Sequence, residues 1–219
     1  MEKAFIFDMD GTLFDTETLT QEGLRAVSQR YGERDDIDEF YPTTCGTTLP
    51  DAKLLYEAFY GPDYPFYERR EEVRQWMRDF IDSNGIPIKN GAEELLKFLK
   101  AEGYKIALAT SATRQSAEGH LKKAGFLPYF DATVCGDEIT KSKPNPEIFL
   151  TAAKKLGVKP ENCFVGEDSY LGVEAGAAAG MKVFMIPDMN PPREKEKKLA
   201  YRIYSDLTEV KKHLEANRY

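Results

Sequence analysis

Cysteine is scarce in this 219-residue chain: Cys45, Cys135 and Cys163 are far apart and odd in number. That argues against a disulfide framework and against a clustered zinc site, and it fits a reducing compartment, so a cytoplasmic location is expected. Long apolar runs are also missing, and nothing approaches the ~20 residues that span a bilayer. Met1-Glu2-Lys3 passes straight into Ala4-Phe5-Ile6-Phe7 and then aspartates, so no signal peptide is read there. Basic residues are outnumbered, 30 Lys and Arg against 37 Asp and Glu, for a net charge of −7 and a pI near 5.1. An acidic chain repels nucleic acid and anionic membrane surfaces, and neither is expected as a partner. No internal repeat and no low-complexity segment appears. What is present is ordinary globular composition, 42% hydrophobic and 31% charged, which argues against collagen, coiled coil and bulk disorder. The length suits one large domain, or a core carrying an insert.

Short apolar runs mark buried strands at 3–7, 104–109, 132–135, 163–165 and 182–186. Helical spacing lies between the later ones. Leu95, Leu96 and Leu99 sit in 92–101; residues 114–124 run to Gly125; Ile148, Phe149, Ala152 and Leu156 sit in 146–156, before Gly157. Strand and helix in alternation with short links predict a parallel sheet covered by helices on both faces. Residues 16–83 break that rhythm and read as helices alone. Leu24, Val27 and Tyr31 keep one face, and Val73, Trp76, Met77, Phe80 and Ile81 keep another. The stretch from Phe59 to Pro65 reads as a turn between helices. The expected division is therefore a core of 1–15 and 84–219, with a helical insert at 16–83. The charged run from Arg193 to Lys198 reads as a solvated face or loop.

Four constellations fall at expected C-terminal strand ends, where ligands bind in parallel sheets. The first is Asp8-Met9-Asp10-Gly11-Thr12. Two carboxylates there are costly unless a cation or ligand balances them. An acidic turn is the ordinary alternative. A calcium loop counted from Asp8 fails, because its sixth and twelfth positions are Leu13 and Leu19. The four letters Asp, Asp, Gly and Thr arise by chance in roughly 1 in 700 chains of this size. The second is Thr110-Ser111, a hydroxyl and backbone N–H groups that can cradle an anion, though such residues are more often helix caps. The third is Lys141-Ser142-Lys143-Pro144-Asn145-Pro146, in which two prolines fix the chain around Lys143. By itself it reads more readily as a surface lysine. The fourth is Gly166-Glu167-Asp168-Ser169, acids that suit metal ligation or simply complement the next helix's dipole. That helix carries Gly172, Gly176 and Gly180 at intervals of four, read as a small face packed closely on the sheet.

Taken in order, acid pair, hydroxyl, lysine and acid pair resemble the four-motif pattern of the haloacid dehalogenase superfamily. The segments Asp-Met-Asp-Gly-Thr-Leu-Phe-Asp-Thr-Glu, Ser-Lys-Pro-Asn-Pro-Glu-Ile-Phe and Gly-Glu-Asp-Ser look like its phosphatase and beta-phosphoglucomutase-like branch. The resemblance covers essentially the whole chain. It implies an α/β fold: a Rossmann-like, doubly wound parallel core with a small helical cap inserted after the first strand. It further implies that Asp8 is a nucleophile forming an aspartyl-phosphate and that Asp10 is the general acid and base. Asp8, the backbone carbonyl of Asp10 and Asp168 would hold Mg²⁺, and Glu167 would ligate it directly or through water. Thr110 and the Ser111 N–H would hold phosphate oxygens. Lys143, expected at the site mouth, would neutralise charge, with Lys141 its rival. The need for cations is physical. A carboxylate 4 Å from a phosphate dianion meets about 8 kcal/mol of repulsion at an effective dielectric of 20.

The expected activity is Mg²⁺-dependent hydrolysis of a small phosphomonoester, with a sugar phosphate among the candidates and a monomeric enzyme assumed. The alternatives are a phosphosugar mutase using the same intermediate and a catalytically silent binding protein; a metal-free dehalogenase ranks low, since it would need neither Asp10 nor a metal pair. The cap is expected to set specificity. In the beta-phosphoglucomutases a histidine follows the Asp-Thr pair and an arginine follows a Gly-x-x element. Here those places hold Thr20 and, in Gly46-Thr47-Thr48-Leu49, Leu49. Arg69 or Arg70 is left as the possible cap cation. These departures favour hydrolysis over mutase chemistry.

Overall fold

The computed structural model describes residues 2–34, 36–45 and 47–217; Met1 and Gly46 lie outside them. The elements begin with β1 (Ala4–Phe7), followed by the helices α1 (Thr16–Tyr31), α2 (Ile37–Thr44), α3 (Leu49–Tyr60) and α4 (Phe66–Asn84). Next come α5 (Ala92–Ala101), β2 (Lys105–Thr110), α6 (Arg114–Lys123), β3 (Ala132–Cys135) and α7 (Glu147–Leu156). The chain ends with β4 (Cys163–Glu167), α8 (Tyr170–Ala178), β5 (Lys182–Met185), α9 (Glu194–Leu199), β6 (Arg202–Ile203) and α10 (Leu207–Asn217). Two compact units result: residues 1–15 with 88–219, and residues 16–87. The division falls four residues past the expected 83/84 boundary because α4 continues to Asn84 before the chain turns at Gly85. Among the described residues no helix is long and apolar enough to cross a membrane.

The larger unit is an α/β Rossmann-like layer structure. Its six strands are all parallel, in the order β3-β2-β1-β4-β5-β6. Side chains alternate across the sheet, so the two faces differ in kind. Ala4, Ile6, Ala107, Ala109, Val165 and Val183 join α7 and α8 in one buried cluster. Phe5, Phe7, Phe164 and Phe184 point the other way and form an aromatic layer. Phe5 stacks on Phe184 at 6.1 Å and Phe164 stacks on Phe184 at 5.5 Å. His213 of α10 meets Phe184 edge-on at 5.4 Å. Gly176 belongs to the small face of α8: a Cβ there would stand 2.7 Å from Val183. Gly180 does not. It lies beyond the helix at φ +74° with nothing near, so it is a turn residue rather than a packing one.

The C-terminal elements β6 and α10 have no counterpart in the sequence reading. β6 is only two residues long and leaves no visible apolar run. α10 did carry a signal: Asp206 caps the N–H groups of Thr208 and Glu209 at 2.8 and 3.1 Å, and Leu207, Val210 and Leu214 are buried at helical spacing. The charged run at 193–198 is a solvated face rather than a loop, exposed at every position but one. Most of it forms α9, and within it Glu196 is fully buried against Arg193.

The smaller unit consists of α1 to α4. Gly23 lets α1 approach α4 closely, since a Cβ would stand 2.9 Å from the Trp76 ring. Leu24 and Val27 are buried as expected, but Tyr31 is 47% exposed. Its ring instead carries the Arg69 guanidinium at 3.3 Å, and its hydroxyl donates to Glu72 at 2.9 Å. The turn between α3 and α4 is confined to 61–65, inside the broader stretch expected.

Replacing Phe184 by Ala should cost about 3–5 kcal/mol, because the ring is fully buried in the aromatic layer. Urea unfolding of both proteins measures it; a loss under about 1 kcal/mol would mean the layer is loosely packed.

Candidate active site

The winding of the sheet changes direction at β1, which has β2 on one side and β4 on the other. In open α/β sheets the crevice beyond such a strand's C-terminal end is the ligand site. Asp8 follows β1 directly, Thr110 closes β2 and Glu167 closes β4. The Asp8 N–H donates to the Gly166 carbonyl at 2.9 Å, which carries the β1–β4 pairing one step past the strand end.

The chain then turns tightly. The Met9 carbonyl accepts from the N–H groups of Leu13 and Phe14 at 2.9 and 3.1 Å, and Gly11 N–H donates to the Phe14 carbonyl at 2.9 Å. Gly11 has φ +78°, and a Cβ there would lie 2.5 Å from Asp168 Oδ2. Glycine is therefore required twice, by conformation and by space. The buried Thr12 donates its hydroxyl to Asp168 Oδ1 at 3.0 Å. The first and fourth motifs thus meet at one carboxylate. Asp10 lies in this turn, half-buried.

Lys143 is not at a site mouth. Its side chain is 7% exposed, and Nζ lies 2.5 Å from Asp8 Oδ1 and 2.6 Å from Glu167 Oε1. Lys141 has a different part: its backbone N–H, with that of Thr140, donates to the Glu147 carboxylate that opens α7, and its side chain is exposed. The buried lysine of the third motif is Lys143. Glu167 is fully buried, and both of its oxygens are engaged. Oε1 takes Lys143, while Oε2 accepts from the Ser169 N–H and hydroxyl at 2.8 and 2.9 Å. A Cβ on Gly172 would overlap Glu167 Oε1 at 1.6 Å, so this glycine of α8 makes room for the acid rather than for the sheet. Burial drives the Asp8 carboxyl up to about 7, against the downward pull of the Lys143 ammonium. Burial opposes the charge on Lys143 too, but Asp8 and Glu167 outweigh it and hold the ammonium above its usual range.

At the end of β2, Thr110 is buried, and its Oγ1 accepts from the Ala112 N–H at 3.0 Å. Ser111 is exposed beside it. The loop after β3 presses close beneath: a Cβ on Gly136 would stand 2.2 Å from the Ser111 carbonyl.

Two groups were missed in the sequence. Asp188 follows β5, and Lys89 precedes α5. Lys89 Nζ lies 2.7 Å from Asp188 Oδ1 and 3.6 Å from Asp15 Oδ1. An acid just after a strand was the available signal for Asp188; nothing local pointed to Lys89. Together these groups leave the strand ends rich in carboxylate oxygen and short of positive charge. Asp8 and Glu167 face the Lys143 ammonium and Asp188 faces that of Lys89, with Asp10 and Asp168 adding two further carboxylates at the same strand ends. An oxygen-only, anionic donor set fits a hard divalent cation such as Mg²⁺. With both Glu167 oxygens engaged, Asp168 is the acid of the fourth motif that could hold such a cation directly. Another compact group, Cys135, Asp137 and Glu138, does not fit a metal as well. Glu138 pairs with Arg114 and Lys155, Asp137 accepts from the Arg114 N–H, and burial lifts the Cys135 thiol to about 11.

The helical unit holds a cavity of its own, of about 290 Å³. Thr20, Leu49 and Arg70 line it, with Glu17 and Tyr41. Arg69 does not. It is held by Glu33 at 3.0 Å and Glu72 at 3.1 Å, which leaves Arg70 as the cavity's cation.

Replacing Lys143 by Met leaves two buried carboxylates facing each other, and should cost about 3–5 kcal/mol at pH 8 in chelator. The pH dependence follows in sign. A carboxyl whose folded pKa exceeds its unfolded value binds its proton more tightly when folded, so it destabilises the fold as pH rises through that interval. Asp8 already titrates high, and removing the ammonium takes away the attraction that lowers it. The variant's deficit against the parent should therefore widen from pH 5 to pH 8 in urea titrations. A deficit independent of pH would contradict the buried pairing.

Comparison with known proteins agrees with this geometry. A family model described as haloacid dehalogenase-like hydrolase matches residues 2–180. A phosphorylated carbohydrates phosphatase of Thermotoga maritima is 36% identical over 186 residues, covering 82% of each chain. Among solved structures, a HAD family hydrolase of Deinococcus radiodurans with bound phosphate and sodium superposes with a TM-score of 0.81 at 25% identity, covering 97% of this chain and 95% of its own. A beta-phosphoglucomutase of Clostridium difficile gives 0.73 at 27% identity, covering 96% and 93%. With the motifs assembled at one sheet edge and the family matched over most of its length, the chain belongs to the haloacid dehalogenase-like hydrolases, a family of enzymes.

Proposed function

We propose that the protein is a Mg²⁺-dependent phosphomonoesterase that hydrolyses a small phosphorylated metabolite, a sugar phosphate, through an aspartyl-phosphate on Asp8. The observation that carries this reading is the buried ammonium of Lys143 on Asp8 Oδ1 at the C-terminal end of β1. It holds one oxygen of the carboxylate and leaves Oδ2 for attack, while its charge meets the phosphate. Similarity to the Thermotoga phosphatase of phosphorylated carbohydrates supports the substrate class.

In the first step Asp8 Oδ2 forms a bond to phosphorus and the ester P–O bond breaks. Asp10 gives its proton to the departing alkoxide. In the second step a water oxygen attacks phosphorus, Asp10 takes the water's proton, and the Asp8–phosphorus bond breaks to release orthophosphate. The Thr110 hydroxyl and Ser111 N–H receive phosphate oxygens, and Lys143 offsets the charge that spreads onto them. Asp8, the Asp10 carbonyl and Asp168 would hold Mg²⁺. When bound it supplies the positive charge that offsets repulsion between carboxylate and phosphate dianion.

A mutase needs a group that delays hydrolysis and a cation for a distal phosphate. Thr20 spends its hydroxyl on the Thr16 carbonyl at 2.7 Å and does not act as a histidine would. Leu49 is apolar, so Arg70, which lines the same cavity, is the cap's candidate cation, and it is the missing histidine that favours hydrolysis. Water is therefore the expected acceptor.

Asp8→Asn should abolish release of phosphate from an aryl phosphate and leave the circular dichroism spectrum unchanged. Turnover at the parent rate would reject Asp8 as nucleophile. Asp10→Asn should slow turnover by about 10²–10⁴-fold. Chelator should silence the parent, and added Mg²⁺ should restore it. A panel of sugar phosphates would identify the substrate. With beta-glucose 1-phosphate and a trace of the 1,6-bisphosphate, free phosphate should lead; glucose 6-phosphate accumulating well ahead of it would establish the mutase instead.

A further inference from the structure

We propose that Asp188 is a further member of the cation site, a positioning residue whose Oδ2 strengthens the hold of Asp8 and Asp168 on a divalent cation. This rests on the cation reading above and adds to it an acid from a different strand. The Asp188 side chain is 9% exposed and is anchored by one oxygen only, Oδ1, on Lys89 at 2.7 Å. Oδ2 is buried and meets no hydrogen-bond donor among the described residues. It is directed at the Gly11 turn: a Cβ on Gly11 would lie 3.1 Å from Asp188 Oδ2 and 2.5 Å from Asp168 Oδ2. Two carboxylate oxygens from separate strand ends thus converge on the one residue that has no side chain to fill the space.

Buried carboxylate oxygens are almost always satisfied, and two that face the same space repel. Pairing with Lys89 accounts for Oδ1 and leaves Oδ2 without a role. A cation, or the water bound to it, attracts both oxygens together. Outer acids of this kind hold the hydration shell of a metal and orient its direct ligands. Lys89 keeps Asp188 aimed and prevents its charge from adding to the local excess.

The test is calorimetric titration of the metal-free parent, Asp188→Asn and Lys89→Met with MgCl₂ and MnCl₂, with no substrate present. Asparagine keeps the shape and removes the charge. Asp188→Asn should bind the cation about 10–100-fold more weakly. Lys89→Met should lower the melting temperature and weaken the cation less than Asp188→Asn does, because it loosens the anchor of Oδ1 but leaves the carboxylate charge in place. Asp188→Ser is titrated in parallel, so that a misfolded asparagine variant does not decide the matter. If the asparagine and serine variants bind within twofold of the parent, Asp188 serves Lys89 alone and the proposal fails, while the cation reading stands. If the parent itself binds neither ion, the cation reading fails and this proposal falls with it.

Discussion

A buried ammonium between two buried carboxylates, Asp8–Lys143–Glu167, is the interaction around which the active end of this sheet is built. Each partner alone would be expensive in that position, because desolvation penalises every one of the three charges. Together they hold one another only if the backbone places them to within a few tenths of an ångström. β1 and β4 are neighbours, and the Asp8 N–H reaches the Gly166 carbonyl. Ser169 takes the second oxygen of Glu167. Gly172 removes the Cβ that would otherwise occupy the carboxylate's place. The result is a buried carboxylate with one oxygen tied down by the ammonium beside it.

The same sheet edge solves a second problem, which is how to collect acids that repel. Glycine does this at two points by different means. Gly11 admits Asp168 and Asp188 to the turn after β1 and also adopts a positive φ that the turn requires, whereas Gly172 simply yields volume to Glu167. The acids then fall into two sets. Glu167 and one oxygen of Asp8 serve Lys143. Asp168, braced by Thr12, stands with Asp188 beside Gly11. Motifs that look alike in sequence, two aspartates here and two acids there, divide their labour in this way. The neighbouring pair Glu167-Asp168 sends its first member to a lysine and its second to the Thr12 hydroxyl.

Electrostatics of this kind gives hydrolysis of a phosphate monoester a physical basis. The attacking group and the phosphate are both anions, so the site has to supply positive charge before chemistry begins. Lys143 brings one charge from the protein itself, and the carboxylate oxygens create the demand for another. In the helical unit, Arg69 is committed to Glu33 and Glu72 while Arg70 lines the cavity beside Glu17 and Tyr41. That difference separates an arginine held in ion pairs from its neighbour on the cavity wall.

Local order made much of this legible in advance. Apolar runs and helical spacing carried the alternation of strand and helix, and the segment from Asp8 to Thr12 stood out because its residues act together over five positions after a strand. Tyr31 had the right spacing for a buried face, yet it lies outside with Arg69 on its ring, because a polar handle and a cation across the helix pair compete with burial. The sequence by itself determined the layer architecture and the four short segments that bear chemistry, since these depend on periodicity and on neighbours a few residues apart. The prolines around Lys143 already favoured it over Lys141, but only the tertiary structure decided that it is buried between two acids, which oxygens of Glu167 are taken, and that Lys89 and Asp188, 99 positions apart, form a pair. Those choices belong to contacts between strand ends, and strand ends meet only when the sheet has been assembled.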